Sequence, residues 1–200
     1  MKKTALLLLI VLMSTTIYAQ KKKKGAKTSK KTTATSLGSS DGIVFEMRKK
    51  NDQNFIYLLS GKGKDSIAIK NSPNAANTTF TSSSIKPITA NGTKLYHLSW
   101  IETSIVGEPK TKIVTTTKTC NEIWDATNKT QAMTNEQSVV NTKEIVFLDR
   151  LKTATETQEK NLRSGFEFLI QPDGSVKLKS KTQDNKYVYS TTDKKYNFSK

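Results

Sequence analysis

From Ile43 onward the apolar residues of this chain recur mostly at every second position, and that period commits it to strands. Ile43, Phe45 and Met47 alternate with Val44, Glu46 and Arg48. Successive side chains of a strand point to opposite faces, so such a segment offers one face to a core and the other to water. Residues 55–59 (Phe-Ile-Tyr-Leu-Leu) are apolar at both sets of positions, as in a central or doubly covered strand.

Turn chemistry joins these strands into hairpins. Residues 61–65 (Gly-Lys-Gly-Lys-Asp) form a short loop, after which Ile67 and Ile69 begin a return strand. Asn91-Gly92 supplies the positive φ angles of a type I′ turn and links a strand over 85–90 to a long one over 94–106. Gly107-Glu108-Pro109 reverses that strand into 110–120. Pro172-Asp173-Gly174 joins 165–171 to 175–180, with proline preset for the turn and glycine for its left-handed position. Strands over 186–190 and 195–198 close the chain.

Two stretches read less directly. In 149–163, Leu151, Ala154 and Leu162 fit one face of a helix with Gly165 beyond its end. Thr153, Thr155 and Thr157, however, alternate as strand residues do, and the expectation is a continuation of a strand over 143–151. Residues 71–79 and 126–141 read as loops or edges. The sum is an all-β, antiparallel meander of roughly ten strands, forming a sandwich, a barrel or a curved open sheet. Lys, Thr, Ser and Asn dominate it, so its core is thin and several sheet faces meet water.

The N-terminal residues fix an expected address. Lys2 and Lys3 precede an unbroken apolar run over 5–13, and a short polar stretch leads to Ala19. A basic start, an apolar middle and a small residue at the cut are the marks of a secretory signal peptide over residues 1–19, cleaved between Ala19 and Gln20. The run is too short to span a bilayer, which takes about 20 apolar residues. No second apolar run follows, so the mature chain has no expected transmembrane segment. Gln20 cannot carry a lipid as a cysteine would, so the expected location is the periplasm or the exterior, without a lipid anchor. The sole cysteine, Cys120, leaves no internal disulfide and reads as a small buried residue at a strand end.

Residues 20–41 form the next segment, with Lys21, Lys22, Lys23, Lys24, Lys27, Lys30 and Lys31 against one acid, Asp41. It holds almost nothing apolar and cannot offset its own ordering entropy, so a disordered basic linker is expected. The precursor carries +16; without Lys2 and Lys3 it carries +14, of which the linker supplies six, leaving +8 on the single β domain over 42–200. Those lysines could meet anionic envelope components such as lipopolysaccharide phosphates, at about 1 kcal/mol each near such a surface. The domain has no RNA-recognition, zinc-finger or helix-turn-helix pattern, so dedicated nucleic-acid binding is not expected.

The chain offers little catalytic chemistry. Its one histidine, His97, lies in a strand with Leu95 and Ser99, opposite Tyr96, Leu98 and Trp100, and no Gly-x-Ser-x-Gly elbow raises a serine. One histidine and one cysteine do not supply a zinc site, and residues 61–64 lack P-loop spacing. No cofactor is expected. Carboxylates in or near strands, Glu102, Glu122, Asp125, Glu144, Asp149 and Glu167, could support hydrolysis only if two of them meet. Tyr96, Trp100 and Trp124 could wall a ligand cavity, but aromatics in a chain this poor in aliphatics more often are the core. The expected function is binding without catalysis, at the bacterial envelope or outside the cell. The alternatives are a lipocalin-like carrier of a small apolar or glycan ligand, an analogy of architecture alone, and a carboxylate-based hydrolase.

Overall fold

A computed structural model of the protein describes residues 33–50, 53–60, 65–72 and 77–199. The leader, the cut between Ala19 and Gln20, the seven lysines over 21–31 and the loop over 61–64 lie outside the described residues. The expected all-β class holds: among the described residues thirteen strands form three antiparallel sheets, and in each one the spatial order follows the chain order. None closes into a barrel.

The first sheet comprises β1 (Thr33–Ser40), β2 (Ile43–Lys50), β3 (Gln53–Ser60) and β4 (Asp65–Ser72). The central sheet comprises β5 (Thr78–Ala90), β6 (Thr93–Glu108), β7 (Lys112–Asp125), β8 (Thr130–Phe147) and β9 (Thr155–Ser164). The third comprises β10 (Glu167–Ile170), β11 (Val176–Lys179), β12 (Asp184–Ser190) and β13 (Lys195–Ser199). Asn91-Gly92 makes the expected hairpin turn with φ of 46° and 75°, and Asp41-Gly42 repeats it at 52° and 77°.

Several boundaries differ from the sequence reading. Residues 33–41, expected to be part of a disordered linker, form β1 and its turn. Pairing with β2 satisfies the β1 backbone, and Leu37 packs against a core that the polar composition around it does not announce. Strand β7 runs past Cys120 to Asp125, so Cys120 sits inside a strand. Residues 130–141, expected as loop or edge, belong to β8, a strand flanked on both sides by β7 and β9. Residues 149–163 neither form a helix nor continue the preceding strand. Strand β8 stops at Phe147, and the Asp149 carboxylate accepts from the backbone N–H of Thr153 at 2.8 Å and from its hydroxyl. Leu148 N–H donates to the Ala154 carbonyl at 3.0 Å, and the chain returns as β9.

Two cores cover the two faces of one half of the central sheet. On one face Tyr96, Leu98, Trp100, Cys120 and Trp124 meet Ile43, Phe45, Ile56 and Leu58 of the first sheet, with the Phe45 and Trp100 rings 5.7 Å apart. On the other, Ala90, Leu95, Ile123 and Ala132 meet Val176, Leu178, Tyr189 and Tyr196 of the third sheet. The turn after β10 docks there: the Tyr196 hydroxyl donates to the Gly174 carbonyl at 2.8 Å, and a Cβ on Gly174 would stand 2.2 Å from the Thr89 carbonyl oxygen.

The other half of the central sheet runs beyond both covers as a single layer. No residue over 103–119 or 134–164 is buried, and Ile105, Val106 and Leu162 are 54 %, 62 % and 60 % exposed. Its stability rests on the ladder and on side-chain rungs such as Asn141 to Asn161 at 2.9 Å and Ser138 with Ser164 at 2.8 Å.

Candidate functional site

The sequence-predicted aromatic wall packs inside a core. Tyr96, Trp100 and Trp124 all belong to the cluster between the first and central sheets. Two of the candidate acids lie beside them. The Trp100 indole N–H donates to Glu102 Oε1 at 2.8 Å, and the Trp124 indole donates to Glu122 Oε2 at 2.6 Å. Both carboxylates are buried, so each indole donor finds its partner without water. Glu122 pairs with Leu98 and Glu102 with Lys118, so the two glutamates stand four residues apart along the sheet, roughly 14 Å at about 3.4 Å per residue.

The remaining candidates are held by turns and ladder partners. Asp125, 2 % exposed, accepts from the backbone N–H and side-chain amide of Asn128 at 2.9 and 2.6 Å, fixing the β7–β8 turn. Glu144 pairs with Lys112 at 3.1 Å. His97 stacks on Phe168 with centroids 5.3 Å apart, and its Nε2 lies 3.0 Å from Asn121 Oδ1. Burial pushes its pKa below the ordinary imidazole value, Lys86 pushes the same way, and the Asn121 contact opposes both. The Cys120 thiol is buried beside Glu102 and Glu136. Among the described residues, no helix is long and apolar enough to cross a membrane.

The structure brings together a set of residues that the sequence reading did not group. An open cavity of about 480 Å³ is lined by Gln137 of β8, Arg163 of β9, Gly165, Glu167 of β10, Lys179 of β11, and Ser180, Lys181 and Thr182 of the next turn. That turn is fixed locally. Ser180 N–H donates to the Gln183 carbonyl at 2.8 Å, and Ser180 Oγ accepts from the Gln183 and Thr182 N–H groups at 3.1 and 3.3 Å. Lys181 is thereby held at the tip of a defined turn rather than on a free loop.

Three cations and one carboxylate line this cavity. Lys94, Lys112, Lys118, Lys143, Lys177 and Lys186 are each within 2.7 to 3.7 Å of a carboxylate oxygen. Arg163, Lys179 and Lys181 have no such ion pair among the described residues, so with Glu167 as the one carboxylate the cavity keeps a net positive lining. A guanidinium fork, two ammonium groups, an amide and a hydroxyl around one concavity form a donor set for phosphate, sulfate or carboxylate. The volume falls in the range of small-ligand sites. Sequence position separates Gln137 from Lys181 by more than a whole strand, and Arg163 stood in the ambiguous stretch before Gly165, so the grouping exists only once β8, β9 and β11 are placed.

No protein-family profile matches the chain, no curated protein resembles it significantly, and no solved structure matches its fold.

Proposed function

We propose that this is an exported, non-enzymatic binding protein of the bacterial envelope or the extracellular space, and that its folded part takes an anionic group in the cavity lined by Arg163, Lys179 and Lys181. The ligand class is a glycan or lipid headgroup bearing phosphate, sulfate or carboxylate. One observation carries this reading: three cations with no ion pair among the described residues line a single cavity, against one carboxylate, Glu167. The leader supports export, and the lysines over 21–31 supply a second, loose attachment to the same kind of surface. The two attachments divide the labour: the tail contributes long-range attraction, and the cavity contributes geometry through the guanidinium fork.

The test is co-sedimentation of the mature chain with vesicles that contain lipopolysaccharide, against neutral phosphatidylcholine vesicles. Binding to the anionic vesicles should fall as NaCl rises from about 50 to about 500 mM, because the contacts are exposed and screened. Neutralising the cavity with R163Q, K179Q and K181Q together should weaken it about tenfold, as three cations at up to about 1 kcal/mol each allow after screening. Deleting 21–31 should weaken it further. Equal binding to neutral vesicles, or a cavity variant that binds as the parent does, would refute the reading.

A further inference from the structure

The two edges of the central sheet are built differently. Strand β5 carries Pro87, a register break between Thr81 and Ser84, and a positive φ of 50° at Ser82. It also lies against β1: Ser83 Oγ donates to the Leu37 carbonyl at 2.8 Å, and a Cβ on Gly38 would stand 3.1 Å from the Ile85 side chain. Proline, a bulge and a covering strand are the means by which sheet edges are kept from pairing. Among the described residues, strand β9 has none of these three; its protection is charge alone, from Glu156, Glu159, Lys160 and Arg163. All ten of its residues are exposed, it contains neither proline nor glycine, and it pairs with β8 over ten positions without a register shift. Its outer backbone edge is a regular row of donors and acceptors.

We infer that β9 pairs with β9 of a second copy of this chain, antiparallel, joining two five-stranded central sheets into one of ten strands.

The charge pattern selects the second copy and a register. Residues directly opposite one another in an antiparallel pair share a face, and a two-fold axis normal to the sheet keeps each residue on its own face. The axis must therefore pass through a residue that meets itself. Centring on Glu159 or Lys160 sets like charges opposite each other, which is unfavourable. Centring on Gln158 sets Glu156 opposite the second copy's Lys160, twice, by symmetry. The paired stretch in this register runs over 155–161, so Leu162, 60 % exposed, falls just beyond it. Centring on Asn161 is the other choice that faces opposite charges, with Glu159 opposite Arg163, but it leaves Leu162 opposite Lys160 and draws Glu159 from its pair with Lys143 at 3.2 Å. Glu156 and Lys160 have no ion pair with any described residue of their own chain, so both are available. The Gln158 register is thus the one assigned. The contact spans one strand, so it forms a weak, concentration-dependent dimer.

Sedimentation velocity on the mature chain from about 5 to about 500 µM tests it by mass action. The parent should shift from monomer to dimer across that range. E156K and K160E each place like charges opposite one another and should weaken the dimer at least tenfold, and the double variant E156K/K160E should restore it. E159K should leave it in place. Far-ultraviolet circular dichroism on the same samples identifies a variant that has lost its fold, and restoration by the double swap does not depend on that control. A parent that stays monomeric throughout would overturn the inference, as would a dimer indifferent to both single reversals. Disruption by E159K in place of E156K would overturn the register. The vesicle test above uses other residues, so the binding reading and the dimer fail independently.

Discussion

His97 is the only histidine of the chain, so it provides a single probe of how the central sheet is covered. Its ring lies against Phe168, hydrogen-bonded to Asn121 on β7 and across from Lys86 on β5. Burial is the largest influence and disfavours the imidazolium, Asn121 opposes it, and Lys86 adds to it, so the folded pKa lies below the ordinary imidazole value of 6.5. The sign of the consequence follows. On acidification below 6.5 the unfolded chain binds a proton before the folded chain does, so stability falls from about pH 6.5 down to the folded pKa and levels off beneath it. The imidazole proton resonances should titrate below 6.5 in the folded protein. The change in melting temperature over that window should diminish in H97Q. A ring titrating at or above 6.5 would mean that Phe168 does not cover it.

At the scale of elements, the sequence was legible where a strand has one wet and one dry face. The alternation of Ile43, Phe45 and Met47, and the hairpins at Asn91-Gly92 and Pro172-Asp173-Gly174, were readable because burial demands an apolar side at every second position. It was illegible in β8 and β9 for a physical reason. Both faces of that single layer meet water, so Gln137, Asn141, Thr142, Gln158 and Asn161 need no contrast between faces, and polar strands of this kind resemble loops in sequence. Strand β1 was missed because its pairing with β2, and not its composition, satisfies its backbone. The cationic cavity was missed for a related reason: Arg163 enters it only when β9 lies beside β8. The single layer also makes a prediction of its own. At concentrations where the chain is monomeric, amide hydrogens of Leu95–Trp100 and Cys120–Asp125, covered on both faces, should exchange far more slowly than those of β9. Equal protection in both regions would mean that the extension is covered.

On the scale of the whole molecule, the arrangement places two cores on one half of a sheet and leaves the other half free for contact. Cavity and pairing edge both lie toward that free half, on β8 and β9, while the aromatic residues that the sequence offered as a ligand wall hold the covered half together. The proposed anion site lies at the junction between the single layer and the third sheet. Amide chemical-shift mapping of the ¹⁵N-labelled mature protein, titrated with a phosphorylated disaccharide, tests it most directly. Saturable shifts should concentrate at Gln137, Arg163, Gly165 and Ser180–Thr182. Shifts confined to the lysines over 21–31, or spread evenly over the exposed lysines, would contradict it.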